Sequence, residues 1–187
     1  MTLVEEAALE FVALLGELQL PYMIIGGVAV GLWGEPRATL DVDLTIWVEP
    51  DRLEATVAEL ASRLALRTSE PTESLRRLRL LPVRATNGVS VDLLFANWPI
   101  ERQALDRAVW LHIGKVAVRV APLDYLLFLK LLSDRPKDAT DAEVLIRRHR
   151  GKMDVSWLEA ELSSLAQSMG QPEILQRFQR LMRGEEG

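Results

Sequence analysis

The run MIIGGVAVGLWGEPRATLDVDLTIWV, Met23 to Val48, decides how the rest of the chain is read. It opens as an apolar strand and turns through Gly26-Gly27. After thirteen further residues it reaches Asp41-Val42-Asp43, inside a second apolar strand. Side chains on a strand alternate faces, so Asp41 and Asp43 point one way while Val42 and Leu44 point the other. Two carboxylates crowded on one face repel unless a positive charge lies between them. A divalent cation fills that role, and oxygen-only donors select a hard ion, Mg²⁺ or Mn²⁺. The wet face of an antiparallel sheet would also carry an Asp-x-Asp pair, but the apolar flanks weigh against it.

A third carboxylate has a matching setting. In VSVDLLFA, Val89 to Ala96, Asp92 interrupts another apolar strand. If that strand lies beside the first, Asp92 joins Asp41 and Asp43 on one face. Three carboxylates so placed can hold two divalent ions roughly 3.5–4 Å apart, the arrangement of two-metal phosphoryl chemistry. Gly26-Gly27 stands where a strand passes into a helical turn. Glycine there lets the backbone approach a phosphate, and free N–H groups at a helix start bind anions. A plain tight turn would use the same residues. Neither the Gly-Lys-Ser/Thr of a Walker loop nor a Gly-x-Gly-x-x-Gly fingerprint is present.

Outward from this stretch, residues 3–18 carry helical apolar spacing, ended by the approach to Pro21. EPDRLEATVAELASRLAL reads as a helix with proline and acids at its start. LRRLRLLPV and GVSVDLLFA read as strands joined through Asn87-Gly88, and VWLHI and VAVRVA as a hairpin over Gly114-Lys115. The alternation of Arg76, Arg77 and Arg79 with leucines is that of a half-exposed strand, though the arginines could also line an RNA-facing groove. PIERQALDRA is a short helix, and segments 122–133, 136–150, 154–169 and 171–183 are helical. Strands cluster before Pro122 and helices after it. The expectation is α+β: a core over residues 1–121 and a helical part, 122–187, packed on it.

Bulk properties set bounds. The 187 residues are 49% apolar, enough for a sizeable core, and contain no cysteine, which excludes disulfides, cysteine-rich zinc sites and cysteine nucleophiles. The start lacks the basic region and unbroken apolar core of a signal peptide, and no run approaches the roughly 20 apolar residues of a membrane span. A cytoplasmic protein without a membrane partner is expected. The net charge of −5 argues against coating nucleic acid by bulk electrostatics, while leaving room for a local basic groove.

Taken together, IGGVAVGLWGEPRATLDVDL and the later strand-borne Asp92 resemble the signature of the polymerase-β-like nucleotidyltransferase superfamily over residues 22–95. The resemblance implies a mixed sheet flanked by helices, a nucleoside triphosphate substrate and Mg²⁺ or Mn²⁺. It implies that Gly26 and Gly27 hold the triphosphate, that Asp41 and Asp43 bind metal, and that Asp92 is third ligand and base. The Gly-Gly, the lead-in RATLDVDL and the late KLLSDRPKDATDAEVL are similar to the AbiEii-type nucleotidyltransferases of toxin–antitoxin systems. In that group a helix carries Lys, Arg, Lys/Arg-Asp and Asp, here Lys130, Arg135, Lys137, Asp138 and Asp141. The acceptor so implied is tRNA or protein, with an antitoxin protein as partner. An aminoglycoside-type acceptor and a non-catalytic nucleotide-binding module are the alternatives.

Arg37, in the loop before Asp41, is a candidate phosphate contact or a solvated arginine. Lys130 sits in the apolar run YLLFLKLL and is expected to reach a phosphate; snorkelling to the surface is the other reading. Asp138 and Asp141 open a helix, where capping and the helix dipole explain them without chemistry. Tyr125 reads as core or interface packing, with stacking on a base as the other reading, and His112 and His149 as structural.

Overall fold

The computed structural model describes residues 1–34 and 38–184. In chain order the elements are α1 (Leu3–Glu17), β1 (Tyr22–Ile25), α2 (Gly26–Trp33), β2 (Asp41–Ile46), α3 (Leu53–Arg63), β3 (Ala65–Leu66), α4 (Pro71–Leu78), β4 (Leu80–Arg84), β5 (Ser90–Phe95), α5 (Pro99–Asp106), β6 (Val109–Ile113) and β7 (Val116–Val120). Then follow α6 (Leu123–Leu131), α7 (Pro136–His149), α8 (Val155–Met169) and α9 (Glu173–Arg183). The chain divides into two compact units, one running to Ala121 and the other from Pro122 onward together with Trp33. Among the described residues no helix is long and apolar enough to cross a membrane.

In the first unit the strands form one mixed sheet in the order β3-β4-β5-β2-β1-β7-β6. β1 is antiparallel to β2 and parallel to β7, and β2 is parallel to β5. The two sequence-predicted hairpins are present: β4–β5 closes through Gly88 at φ +88°, and β6–β7 through Gly114 at φ +58°. Both glycines take up left-handed angles that a side chain would strain. Central β1 is buried along its whole length, as its sequence YMII requires. α1 begins with a reciprocal cap, Thr2 accepting from the Glu5 N–H while the Glu5 carboxylate accepts from the Thr2 N–H. Its apolar stripe, Ala7, Ala8, Phe11 and Leu15, is fully buried, and the helix packs on β2 and β7.

Two segments differ from their sequence reading. The arginines of LRRLRLLPV do not lie along a strand: Arg76 and Arg77 belong to α4, and only Leu80–Arg84 is extended. Pro71 sets the first helical turn, and Glu73 pairs with Arg76 at 2.8 Å and with Arg77 at 3.8 Å along the exposed face. Arg79 then takes a left-handed conformation, φ +55°, and its guanidinium donates to the Phe95 and Ala96 carbonyls. Likewise α3 stops at Arg63, and Ala65–Leu66 pairs as an edge strand with β4. That strand is short for a definite reason. The Arg67 N–H donates to the Pro82 carbonyl at 2.9 Å, but proline has no N–H to return the bond.

The second unit is helical. α6 is buried almost throughout, including Asp124 and Lys130. Tyr125 stacks on Phe128, whose ring meets Trp157 of α8. The Asp154 N–H at the start of α8 donates to Asp124. Arg177 of α9 donates to the carbonyls that end α6 and follow it, Leu131 and Ser133, capping orphaned acceptors.

Candidate active site

β1 delivers the chain to Gly26, which turns at φ +63° and opens α2. Across the antiparallel β1–β2 pair, Ile25 faces Asp43. The Asp43 side chain therefore lies directly over the turn. A Cβ on Gly26 would collide with the Asp43 carboxylate, lying only 2.8 Å from its Cγ and 3.0 Å from its Cβ. Two constraints thus fall on one residue: a positive φ, and a carboxylate resting where a side chain would be. Gly27 follows, buried in the first turn of α2. It lines a groove of about 460 Å³ shared with Val28, Gly31, Leu32, Thr39 and the start of α1.

The strand register assembles the acids. Val42 and Leu44 are fully buried while Asp41 and Asp43 are half-buried on the other face. In the parallel β2–β5 pair Asp43 is the register partner of Asp92. Register partners on neighbouring strands lie about 4.8 Å apart and point to the same face. The Thr39 hydroxyl donates to the Asp41 carboxylate at 3.0 Å. Asp92 accepts from the guanidinium of Arg67, and the two side chains are 29% and 27% exposed. Arg67 was not singled out by the sequence, where it is one arginine among many beyond a two-residue strand.

Oxygen-only donors on adjacent strands suit a hard divalent ion in kind and in strand position. As they stand they do not converge. Among the described residues no three Asp, Glu or His side chains gather as an ion-binding cluster. Asp92 is already paired with the Arg67 guanidinium.

Lys130 lies in the second unit, 5% exposed. Its ammonium is held by Asp138 and, at 2.9 Å, by Asp141. Asp138 also accepts from the Ser133 hydroxyl and the Arg135 Nε, each at 2.6 Å. Burial alone would raise the Asp138 carboxyl. The bonds from Lys130, Ser133 and Arg135, with the Lys130 charge, outweigh it and hold the group at about 2, below the ordinary 3.8. Asp138 is thus not a cap: α7 begins after Arg135 with no side-chain cap, and the carboxylate is turned inward. Lys130, Asp138 and Asp141 form one buried ion network, Arg135 joins it from the exposed side, and Lys137 is exposed. His149 reaches the Trp33 carbonyl through Nε2 at 2.6 Å, and His112 is exposed on β6. Arg37 lies outside the described residues.

No protein-family model matches this sequence, and no curated protein matches it. Solved structures do share its fold. The lincosamide antibiotic adenylyltransferase LnuA, solved with lincomycin bound, superposes with a TM-score of 0.54 at 12% identity, over 75% of this chain and 95% of its own. The antibiotic-resistance factor ANT(2'')-Ia gives 0.62 at 16% identity, over 89% of this chain and 94% of its own. An antigenic nucleotidyltransferase-like protein from Paracoccidioides brasiliensis gives 0.50 at 20% identity, over 93% and 92%. The fold is that of the polymerase-β-like nucleotidyltransferases.

Proposed function

We propose that the protein transfers a nucleoside monophosphate from a nucleoside triphosphate to a hydroxyl acceptor. The observation that carries this reading is the seating of Asp43 on the Gly26 turn, with Asp92 in register beside it. A phosphate-approaching backbone and the carboxylates thereby share one rim of the sheet. Gly26 and Gly27 present the backbone and the first amides of α2 to the triphosphate. Asp41 and Asp43, with Asp92, would hold Mg²⁺ or Mn²⁺, which when bound neutralises phosphate charge and acidifies the attacking hydroxyl. The acceptor oxygen forms a bond to the α-phosphorus, the α–β anhydride bond breaks, and pyrophosphate leaves. The hydroxyl proton passes to Asp92. Positioning and charge compensation supply most of the rate. Arg37 belongs to the same reading as a phosphate contact. Lys130, expected from the sequence to reach a phosphate, is the cation of the buried Asp138–Asp141 network.

The toxin–antitoxin resemblance makes the acceptor tRNA or protein, with an antitoxin as partner. A second reading, a small antibiotic-like acceptor, is favoured by the likeness to LnuA and ANT(2'')-Ia along nearly their whole length. One experiment separates them. Purified protein with Mg²⁺ and each α-labelled nucleoside triphosphate is offered total tRNA, a protein extract, or mixed aminoglycosides and lincosamides. Label should move to one class, and Asp43→Asn should abolish transfer while leaving the melting curve unchanged. Full transfer by Asp43→Asn would refute the assignment of the carboxylates. Absence of both transfer and nucleotide binding in the native protein would refute the enzyme itself.

A further inference from the structure

One rung of the sheet runs through four strands and ends on an arginine. Ile25 pairs with Asp43, Asp43 with Asp92, and Asp92 with Pro82. Arg67, the first residue beyond β3, closes the rung through its N–H on the Pro82 carbonyl. Residues opposite one another on neighbouring strands point to the same face. The Arg67 side chain therefore crosses the small, flat proline to reach Asp92, and its guanidinium donates to the Asp92 carboxylate. Its root is fixed by the ladder and its side chain is 27% exposed. Below Thr68 the chain turns into α4, the Glu70 N–H bonding the Thr68 hydroxyl. The arginine can thus leave Asp92 by side-chain rotation alone.

We infer that Arg67 is the resident counter-ion of Asp92, a tethered cation that a divalent ion must displace before the third carboxylate can join Asp41 and Asp43. This rests on the nucleotidyltransferase reading of those carboxylates. The register sets Asp92 beside Asp43 on one face, and the Arg67 guanidinium occupies the Asp92 carboxylate there. Arg67 is thus a positioning residue. While paired, it keeps Asp92 from acting as ligand or base. The ion pair is partly exposed, so the exchange is within reach of ordinary binding energies rather than blocked.

The test is Mn²⁺ titration followed by electron paramagnetic resonance of the free ion, on native protein, Arg67→Gln, Arg67→Lys, Asp92→Asn and Arg67→Gln/Asp92→Asn. Arg67→Gln should tighten Mn²⁺ binding severalfold, up to about fivefold. Arg67→Lys should stay close to native. The gain should vanish in the double variant, because the arginine acts only through Asp92. An unchanged affinity in Arg67→Gln, or a gain that persists without Asp92, would overturn the inference. In either case a loss of Mn²⁺ binding in Asp43→Asn would leave the site reading standing. If Asp41→Asn, Asp43→Asn and Asp92→Asn all bind Mn²⁺ as the native protein does, the site reading falls and the role of Arg67 with it.

Discussion

Gly26→Ala tests the junction on which the site is built, and the fold supplies its own control. Gly26 and Gly114 have nearly the same backbone angle, φ +63° and +58°. Alanine in that conformation costs about 1 kcal/mol at either position. The surroundings differ. An added Cβ at Gly114 meets nothing within 4 Å, whereas at Gly26 it meets the Asp43 carboxylate, with Cγ at 2.8 Å and Cβ at 3.0 Å. Relieving that overlap means an off-rotamer Asp43 or a shift of β2, an additional penalty of about 1–3 kcal/mol. Gly114→Ala should therefore lower stability by about 1 kcal/mol, and Gly26→Ala by about 2–4 kcal/mol. Urea unfolding followed by tryptophan fluorescence measures both. The functional consequence should be steeper, since displacing a reacting group by about 1 Å can lower turnover about 100-fold. Label transfer, or Mn²⁺ binding where no acceptor is yet in hand, reports it. Equal destabilisation by the two substitutions, with transfer retained in Gly26→Ala, would show that Asp43 is not held by the turn.

The buried ion network gives two further expectations. Lys130→Met leaves Asp138 and Asp141 buried without their shared cation and should destabilise the fold by about 3–5 kcal/mol; adding Asp138→Asn and Asp141→Asn should restore much of this, measured by the same urea transitions. Asp138 titrates lower in the folded state, about 2, than its ordinary 3.8. Its stabilising contribution is therefore complete above pH 3.8 and is lost as pH falls toward 2. It is on the order of 2 kcal/mol. Across that window Asp138→Asn should show a shallower loss of stability than the native protein.

What the sequence discloses depends on whether the deciding contact is local. YMII, DVDLTI and SVDLLF declare themselves as strands because burial and alternation act within a few residues. The glycine turn is legible because a strand-to-helix reversal has few other solutions. The pairing of Asp43 with Asp92 is only conditional in the sequence, since parallel register is set by distant packing rather than by a turn. RRLRLL is ambiguous in period: it satisfies alternation and also one helical face. The arbiters were Pro71, Glu73 and the left-handed Arg79, which act together only once α4 forms. Arg67 carries no local mark, because its partner is reached across the intervening strand β4. Asp138 stood where capping acids stand, and nothing short of the folded helix pair could show its carboxylate turned toward Lys130.

The parallel pairing of β2 with β5 has a consequence for how the protein comes into being. The hairpins β4–β5 and β6–β7 close over short turns, so little chain entropy opposes them. Joining β2 to β5 requires α3, β3, α4 and β4 to be gathered between them first. Non-local pairings of this kind are the slow steps of folding. A nascent chain therefore carries Asp41 and Asp43 well before Asp92 has been made, and no fragment ending short of β5 contains the full set of carboxylates. The placing of Asp92 beside Asp43 is a property of the closed sheet, and it appears only when β5 has joined β2.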